Sequence, residues 1–280
     1  MTQTHNPLKQ FFRQPAIYVK LPSGGAYWPT GSLNMPANGE LPVYPMTAID
    51  EITYRTPDAL FNGQAVINVI QSCVPAVKDA WQTPNADLNA LLVAIRIASY
   101  GHEMEVGSTC PSCQHQSDFA IDLRVFLEQI QYPNYDKIIQ DGDLEIMFKP
   151  VSYTQQTQTG MLQFEQQKIL SLLPESELSD DEKMTRLNQA FRQITDITIA
   201  VISKSIAAIK GPGFTVTDTD HIEEFLRNCD RKLYHTLRDH AVQLNQDTQL
   251  KSLNAECEEC HHKYEQPTNL DLSSFFDSAS

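Results

Sequence analysis

Two cysteine pairs decide the interpretation of the fold: Cys110-Pro-Ser-Cys113 and Cys257-Glu-Glu-Cys260. They are separated by 143 residues. Two thiolates that are two residues apart can turn toward one ion within a tight knuckle, and two knuckles complete the tetrahedral shell that Zn²⁺ prefers. The pairs of ordinary zinc ribbons are separated by about 15 to 20 residues. The longer separation therefore predicts a split zinc ribbon that carries an insertion of domain size.

The segments that follow the two cysteine pairs also resemble each other. The first pair leads to Asp122-Leu123 and Phe126, and the second leads to Asp271-Leu272 and Phe275. This match predicts two equivalent arms, each a knuckle followed by a strand, and we expect the two arms to pair side by side. Because four thiolates fill the coordination shell, the predicted Zn²⁺ is structural, not catalytic.

Two other interpretations of the cysteines remain open. A redox C-x-x-C motif explains one pair, but it does not explain two pairs with matching flanks. A histidine can also replace one cysteine ligand, and the candidates near the pairs are His115, His261 and His262. We expect these histidines on the exposed rim of the knuckles. The remaining cysteines, Cys73 and Cys229, stand alone in apolar stretches and are typical of small buried hydrophobic residues.

Composition restricts the class of protein. A chain of 280 residues with 41% hydrophobic and 20% charged residues predicts a soluble, folded protein with one large domain or two ordinary ones. A net charge of −14 argues against nucleic-acid binding, which depends on attraction to phosphates. No apolar run reaches the roughly 20 residues that a membrane span needs. Residues 1–14 lack the apolar core of a signal peptide, so we expect the protein in a cytoplasm.

The order of predicted elements indicates an α+β fold. Residues 1–101 form an N-terminal small β/α module, with strands at 17–21, 26–28 and 41–44 followed by helices. Residues 102–130 and 250–280 are the two arms of the zinc-ribbon-like module, and residues 131–249 are a mainly helical insertion.

Capping signals predict long helices in the insertion. Ser179 and Glu182 form a capping box that starts a helix, and its apolar period continues to Ile209. A second capping box is predicted at residues 220–223, where a single helix would begin with its apolar side chains facing inward (Ile222, Phe225, Leu226, Cys229, Leu233 and Leu237). We interpret Met184 and Phe191 as core residues.

No catalytic motif is found in the sequence. The chain lacks H-E-x-x-H, G-x-S-x-G and a glycine-rich phosphate loop. The adjacent carboxylates Asp180 and Asp181 stand at a predicted helix start, where capping explains them. The sequence therefore predicts a protein that is not an enzyme.

Four segments before residue 114 resemble a known family. They are Leu21-Pro-Ser-Gly-Gly25, Pro45-Met-Thr-Ala-Ile-Asp-Glu51, Leu91-Leu-Val-Ala-Ile-Arg-Ile-Ala-Ser-Tyr-Gly101 and Cys110-Pro-Ser-Cys113. In this order and spacing, the sequence is similar to the baseplate hub protein family of T4-like contractile-tailed phages over roughly residues 16–126. The resemblance implies a non-enzymatic hub subunit or hub-assembly factor.

The resemblance also implies partners and a location. The partners are other phage tail baseplate hub proteins, with no small-molecule substrate and no membrane. The protein would act in the host cytoplasm during assembly, and it then either stays in the virion tail baseplate or leaves as a chaperone. The competing hypothesis is a zinc-ribbon adaptor in transcription or nucleic-acid processing, which the negative charge disfavours. A zinc enzyme is a more distant third hypothesis.

Overall fold

The computed structural model describes residues 6–56, 62–172, 179–249, 252–266 and 275–276. These residues form α-helices together with small antiparallel sheets, which confirms the predicted α+β class. Within them, no helix combines the length and the apolar character that crossing a membrane requires.

The N-terminal sheet contains two short strands. Strand β1 (Ile17–Val19) pairs antiparallel with β2 (Leu41–Val43), as predicted from their β-branched and aromatic residues. The strand predicted at residues 26–28 is wrong, because Tyr27 adopts a left-handed φ of 65° and Trp28 Nε1 donates to Asp87 Oδ2 at 2.7 Å. This side-chain bond holds the segment against a helix instead of a sheet.

Three helices follow these strands: α1 (Ala48–Tyr54), α2 (Gln64–Cys73) and α3 (Asn85–Tyr100). Thr47 caps α1 by accepting from the Asp50 backbone N–H, and the Asp50 side chain accepts from Thr47 in return. Helix α3 begins after Pro84 and ends at Gly101, as its proline and glycine predict. Buried side chains from β1, β2, α2 and α3 form the N-terminal core, which includes Cys73.

The chain then forms the first arm: strands β3 (Glu103–Thr109) and β4 (Gln116–Asp122) and helix α4 (Leu123–Gln129). Near the other end of the chain, strands β9 (Leu253–Glu256) and β10 (Lys263–Gln266) form the second arm. The expected pairing of the arms side by side is wrong, because β3–β4 and β9–β10 are separate two-stranded sheets within the described residues. Each knuckle reverses the chain, so each strand pairs with its nearest neighbour in sequence.

The insertion contains a four-stranded antiparallel sheet. Its order is β5 (Ile139–Asp141), β6 (Leu144–Phe148), β7 (Ile206–Gly211) and β8 (Phe214–Val216). Helix α6 (Asp180–Ser205) therefore ends at Ser205, and the prediction that it continues to Ile209 is wrong. Ile206 and Ile209 are buried and pair with Phe148 and Ile146.

Helices α5 (Tyr153–Leu172) and α6 form a long antiparallel hairpin. The capping box of Ser179 and Glu182 at the start of α6 is confirmed. The interpretation of Met184 and Phe191 as core residues is wrong, since they are 58% and 54% exposed. No further layer of described residues covers this face of the hairpin.

The last helical pair is α7 and α8 (Thr219–Asn228 and Arg231–Asp247). The second predicted capping box, at residues 220–223, is wrong, because Asp218 caps α7 by accepting two backbone N–H groups. The single predicted helix is also wrong. Cys229 is extended at ψ 162°, and Asp230 caps the start of α8.

A second core lies between the four-stranded sheet and helices α6 to α8 (Ile146, Phe148, Ile199, Ile202, Ile206, Ile222, Leu226, Leu233 and Leu237 are among its members). Cys229 is half-buried against this core. The N-terminal core also holds Phe126 and Phe275, which are 4% and 1% exposed. These two phenylalanines were singled out as matching flanks of the cysteine pairs, and both are anchored in the same core. Asp271 and Leu272 lie outside the described residues.

Candidate metal centre

The first cysteine pair lies in the turn that joins β3 to β4. The Cys110 backbone N–H donates to the His115 carbonyl at 2.9 Å, and the Gln114 N–H donates to the Cys110 carbonyl at 2.9 Å. Gln114 adopts a left-handed φ of 61°, a conformation that residues other than glycine rarely adopt. These bonds close a tight knuckle that turns the side chains of both cysteines to one side.

The second cysteine pair repeats this structure between β9 and β10. The Cys257 N–H donates to the His262 carbonyl at 3.0 Å, and the His261 N–H donates to the Cys257 carbonyl at 3.0 Å. His261 has a φ of 55° and stands four residues after Cys257, as Gln114 stands four residues after Cys110. The two knuckles therefore share one hydrogen-bond pattern and one left-handed position.

The knuckles bring the four sulfur atoms together, within 4.8 Å of one another. The closest contacts join the two knuckles: Cys110 Sγ lies 3.7 Å from Cys260 Sγ, and Cys113 Sγ lies 3.6 Å from Cys257 Sγ. A tetrahedron with Zn–S bonds of about 2.3 Å places its sulfurs about 3.8 Å apart. A disulfide would need about 2.05 Å. The arrangement fits four ligands around one tetrahedral ion.

The first cysteine of each pair is stabilised as a thiolate by its own knuckle. Burial raises the pKa of Cys110, but backbone N–H groups of Cys113 and Ser112 donate to its sulfur, and the pKa falls to about 7. The Cys260 N–H is the largest cause of the lowered pKa of Cys257, which also accepts from Glu259. Both residues are 1% exposed. Buried thiolates with backbone donors are the usual ligands of a structural Zn²⁺.

The second cysteine of each pair is exposed. The His115 backbone N–H lowers the pKa of Cys113, but hydrogen bonding with the Cys260 sulfur, together with burial and the sulfurs of Cys257 and Cys110, outweighs it and raises the pKa to about 12. Sulfurs this close share their protons, so a bound cation would displace those protons.

The three histidines near the knuckles lie outside the sulfur cluster, which among the described residues consists of the four cysteines. His261 is 77% exposed, with Nδ1 3.4 Å from Glu256 Oε1. The ring of His262 stacks on Tyr264 at a centroid distance of 6.3 Å. The geometry therefore favours a set of four cysteines over a set in which a histidine replaces one of them.

A polar contact that sequence reasoning missed also joins the two arms. Ser108 Oγ lies 2.8 Å from the Tyr264 hydroxyl and donates to Gln266 Oε1 at 2.6 Å. Ser108 stands two residues before Cys110, which directly follows β3, so strand alternation directs the two side chains to the same side. The alternation of side chains along the strand was the sequence signal that could have revealed this contact.

The profile of the family described as "T4 bacteriophage base plate protein" matches residues 32–277. The match continues well beyond residue 126, where the resemblance recognised in the sequence ended, and it includes both cysteine pairs. Comparisons with curated proteins and with solved structures each give no match. Because the profile covers most of the chain, this protein belongs to the family of T4 bacteriophage base plate proteins.

Proposed function

We propose that this chain is a baseplate hub subunit or hub-assembly factor that acts through protein–protein contacts and not through catalysis. Its family makes it a structural phage baseplate protein, a class that interacts with other tail proteins. The observation that carries the proposal is the family match over residues 32–277. The hub assignment draws further support from the three segments at 21–25, 45–51 and 91–101.

A structural Zn²⁺ held by Cys110, Cys113, Cys257 and Cys260 is part of this proposal. Bound by four thiolates, the ion has no open coordination position, so it supplies a cross-link and no Lewis-acid site. The cross-link would join residues that are more than 140 positions apart in the chain. It would fix both ends of the insertion to the N-terminal core, and the partner-binding surfaces would then keep a constant relative placement.

The experiment that tests the hub role is affinity purification of the tagged chain from infected cells, with the tag alone as control. We expect the other hub proteins of the same phage to co-purify in fixed ratios, at salt concentrations that remove weak contacts. Absence of every tail protein from the purified material would contradict the proposal. Tight, salt-sensitive binding of DNA or RNA would instead favour the zinc-ribbon adaptor.

The two alternatives, a hub subunit and an assembly factor, differ in where the protein is found after assembly. A hub subunit is present in purified mature particles in a fixed number of copies, whereas an assembly factor is found only in the host cytoplasm and in tail intermediates. Quantitative mass spectrometry of particles and of intermediates separates these outcomes.

A further inference from the structure

An open cleft of about 640 Å³ lies between the start of α3 and helices α5, α6 and α8. Its size falls in the range of about 300 to 1,000 Å³ that is typical of ligand sites. One wall is aliphatic, with Val201 and Ile202 on α6 and Leu244 on α8. Two of its lining residues are bonded to each other: Asn85 Nδ2 donates to Asn245 Oδ1 at 3.1 Å, which joins α3 to α8.

The charge of this cleft is opposite to the charge of the chain. Acidic residues outnumber basic ones 35 to 21 in the sequence, but the cleft is lined by Lys149, Lys204 and Arg238. Among the described residues, none of the 21 that line it is Asp or Glu. Arg238 pairs with Asp239 at 2.6 Å, whereas the two lysines have no ion pair within the described part of the chain.

The two lysines are held on neighbouring segments. Lys149 follows β6, and its backbone N–H donates to the Ser205 carbonyl at 2.8 Å, next to Lys204 at the end of α6. Both lysines are half-buried at the cleft wall. Partial burial strengthens the attraction between a cation and an opposite charge, because less water screens it.

A glycine in the middle of helix α5 opens the cleft further. Gly160 lines the cleft, and a Cβ built on it meets no atom within 4 Å. Glycine lowers helix stability relative to alanine, and packing against other described residues does not explain its presence here. A small residue with open space in front permits close approach of another backbone. Gln156 and Gln163, one turn to either side of Gly160 on the same helix, also line the cleft.

We propose that this cleft binds an extended acidic segment of a partner protein. The two lysines would pair with its carboxylates, the amide side chains near Gly160 would hydrogen-bond its backbone, and the aliphatic wall would contact its apolar side chains. Charge complementarity selects this occupant. The inference deepens the proposed function, on which it rests for the existence of a protein partner.

The test is fluorescence polarisation with the purified full chain and a labelled dodecapeptide made of glutamate, leucine and serine. Two matched peptides replace every glutamate by glutamine or by lysine. We expect binding of the acidic peptide, weaker by roughly tenfold or more for the glutamine peptide and undetectable for the lysine peptide. Equal binding of all three peptides, or no binding of the acidic one, would overturn the proposal.

Charge-reversal variants locate the binding site. The double variant Lys149→Glu/Lys204→Glu should reduce affinity for the acidic peptide by roughly tenfold or more. The control Lys210→Glu/Lys232→Glu changes the net charge equally at two exposed lysines outside the cleft, and it should reduce affinity less than threefold. Equal losses in both variants would indicate long-range electrostatics and would overturn the assignment to the cleft.

A second variant, Gly160→Trp, tests binding in the cleft and leaves both lysines in place. The indole would fill the cleft and abolish peptide binding, whereas Gly160→Ala should retain it. Unchanged binding by Gly160→Trp would contradict the proposal. Tighter binding of a single-stranded DNA oligonucleotide than of the acidic peptide would assign the cleft to nucleic acid instead. Because the assay contains no tail protein, its failure leaves the co-purification test of the hub role unaffected.

Discussion

The two knuckle hairpins share one turn but differ in how they are attached to the protein. In the first, strands of seven residues lead into α4, and Ile121 and Leu123 are buried in the N-terminal core. In the second, the strands have four residues, and the side chains described as buried, Ala255 and Cys257, are small. The first hairpin is therefore anchored directly by its own apolar side chains, whereas the second is held by its contacts with the first and, nine residues beyond β10, by Phe275 in the N-terminal core.

This difference indicates what the four cysteines contribute to the attachment of the second hairpin. Apolar burial stabilises a segment at about 25 cal/mol per Å², and the described side chains of the second hairpin supply little of it. Among the described residues, its attachment to the first hairpin comes from the sulfur cluster and the hydrogen bonds of Ser108 with Tyr264 and Gln266. If the proposed metal is bound, it stabilises the second hairpin more than the first.

The largest expected effect comes from removing a cysteine of the cluster. Cys257→Ser should lower the free energy of unfolding by about 4 kcal/mol or more, because it would open the proposed Zn²⁺ shell, whose binding energy is folding energy. Cys73→Ser is the matched control. Cys73 is buried in the N-terminal core, where burial raises its pKa to about 12, and its replacement should cost about 2 kcal/mol.

Chemical denaturation of the two variants measures both values. A loss for Cys257→Ser no larger than that for Cys73→Ser would show that the cluster behaves as ordinary core cysteines.

Withdrawal of the proposed Zn²⁺ with a chelator should affect the two hairpins unequally. We expect amide exchange in β9 and β10 to accelerate by roughly tenfold or more, because the described side chains of this hairpin contribute little apolar burial of their own. The end of β4 near Ile121 should remain protected by the N-terminal core. Hydrogen–deuterium exchange with mass spectrometry compares the two directly. Equal acceleration in both hairpins would contradict the difference in anchoring.

The two knuckle residues with left-handed φ angles, Gln114 and His261, allow a matched pair of substitutions with smaller expected effects on stability. Gln114→Val and His261→Val should each cost about 1 to 2 kcal/mol, because a β-branched side chain is strained at a φ near 60°. Gln116→Val, in strand β4, serves as the control and should be nearly neutral. Thermal unfolding measures all three. A much larger cost at His261 than at Gln114 would mean that the histidine itself binds the metal.

The smallest expected effect concerns the polar contact between the arms. Ser108→Ala should cost about 1 kcal/mol, since it removes the hydroxyl shared by Tyr264 and Gln266. Ser117→Ala is the control, because Ser117 stands directly opposite Ser108 in the β3–β4 register. Denaturation of both variants tests this. Identical free energies of unfolding for the two variants would show that this contact does not stabilise the second hairpin.

Features that depend on local sequence were predicted well. The knuckles at Cys110 and Cys257 each close within six residues, so the spacing of the cysteines determines their turns. Ser179 caps the helix that it was predicted to start. In each of these cases, the groups that interact are within a few positions of one another in the chain.

Features that depend on distant segments were predicted poorly. Residues 206–211 have apolar spacing that suits a helix, but they form β7 because they pair with β6. That strand lies nearly 60 residues earlier in the chain. Ser108 was missed for the same reason, since its partners lie more than 150 positions away. The exposure of Met184 and Phe191 was also unpredictable, because apolar periodicity does not specify whether another layer covers that face.

The most direct test of the central claim, a structural Zn²⁺ shared by the two knuckles, is the metal content of the purified protein. Elemental analysis by mass spectrometry, combined with mapping of free thiols, gives the zinc per chain and the state of each cysteine. We expect about one zinc per chain, released by thiol-modifying reagents, and none in a Cys110→Ser/Cys257→Ser variant. Protein without metal that contains a Cys110–Cys113 disulfide would contradict it.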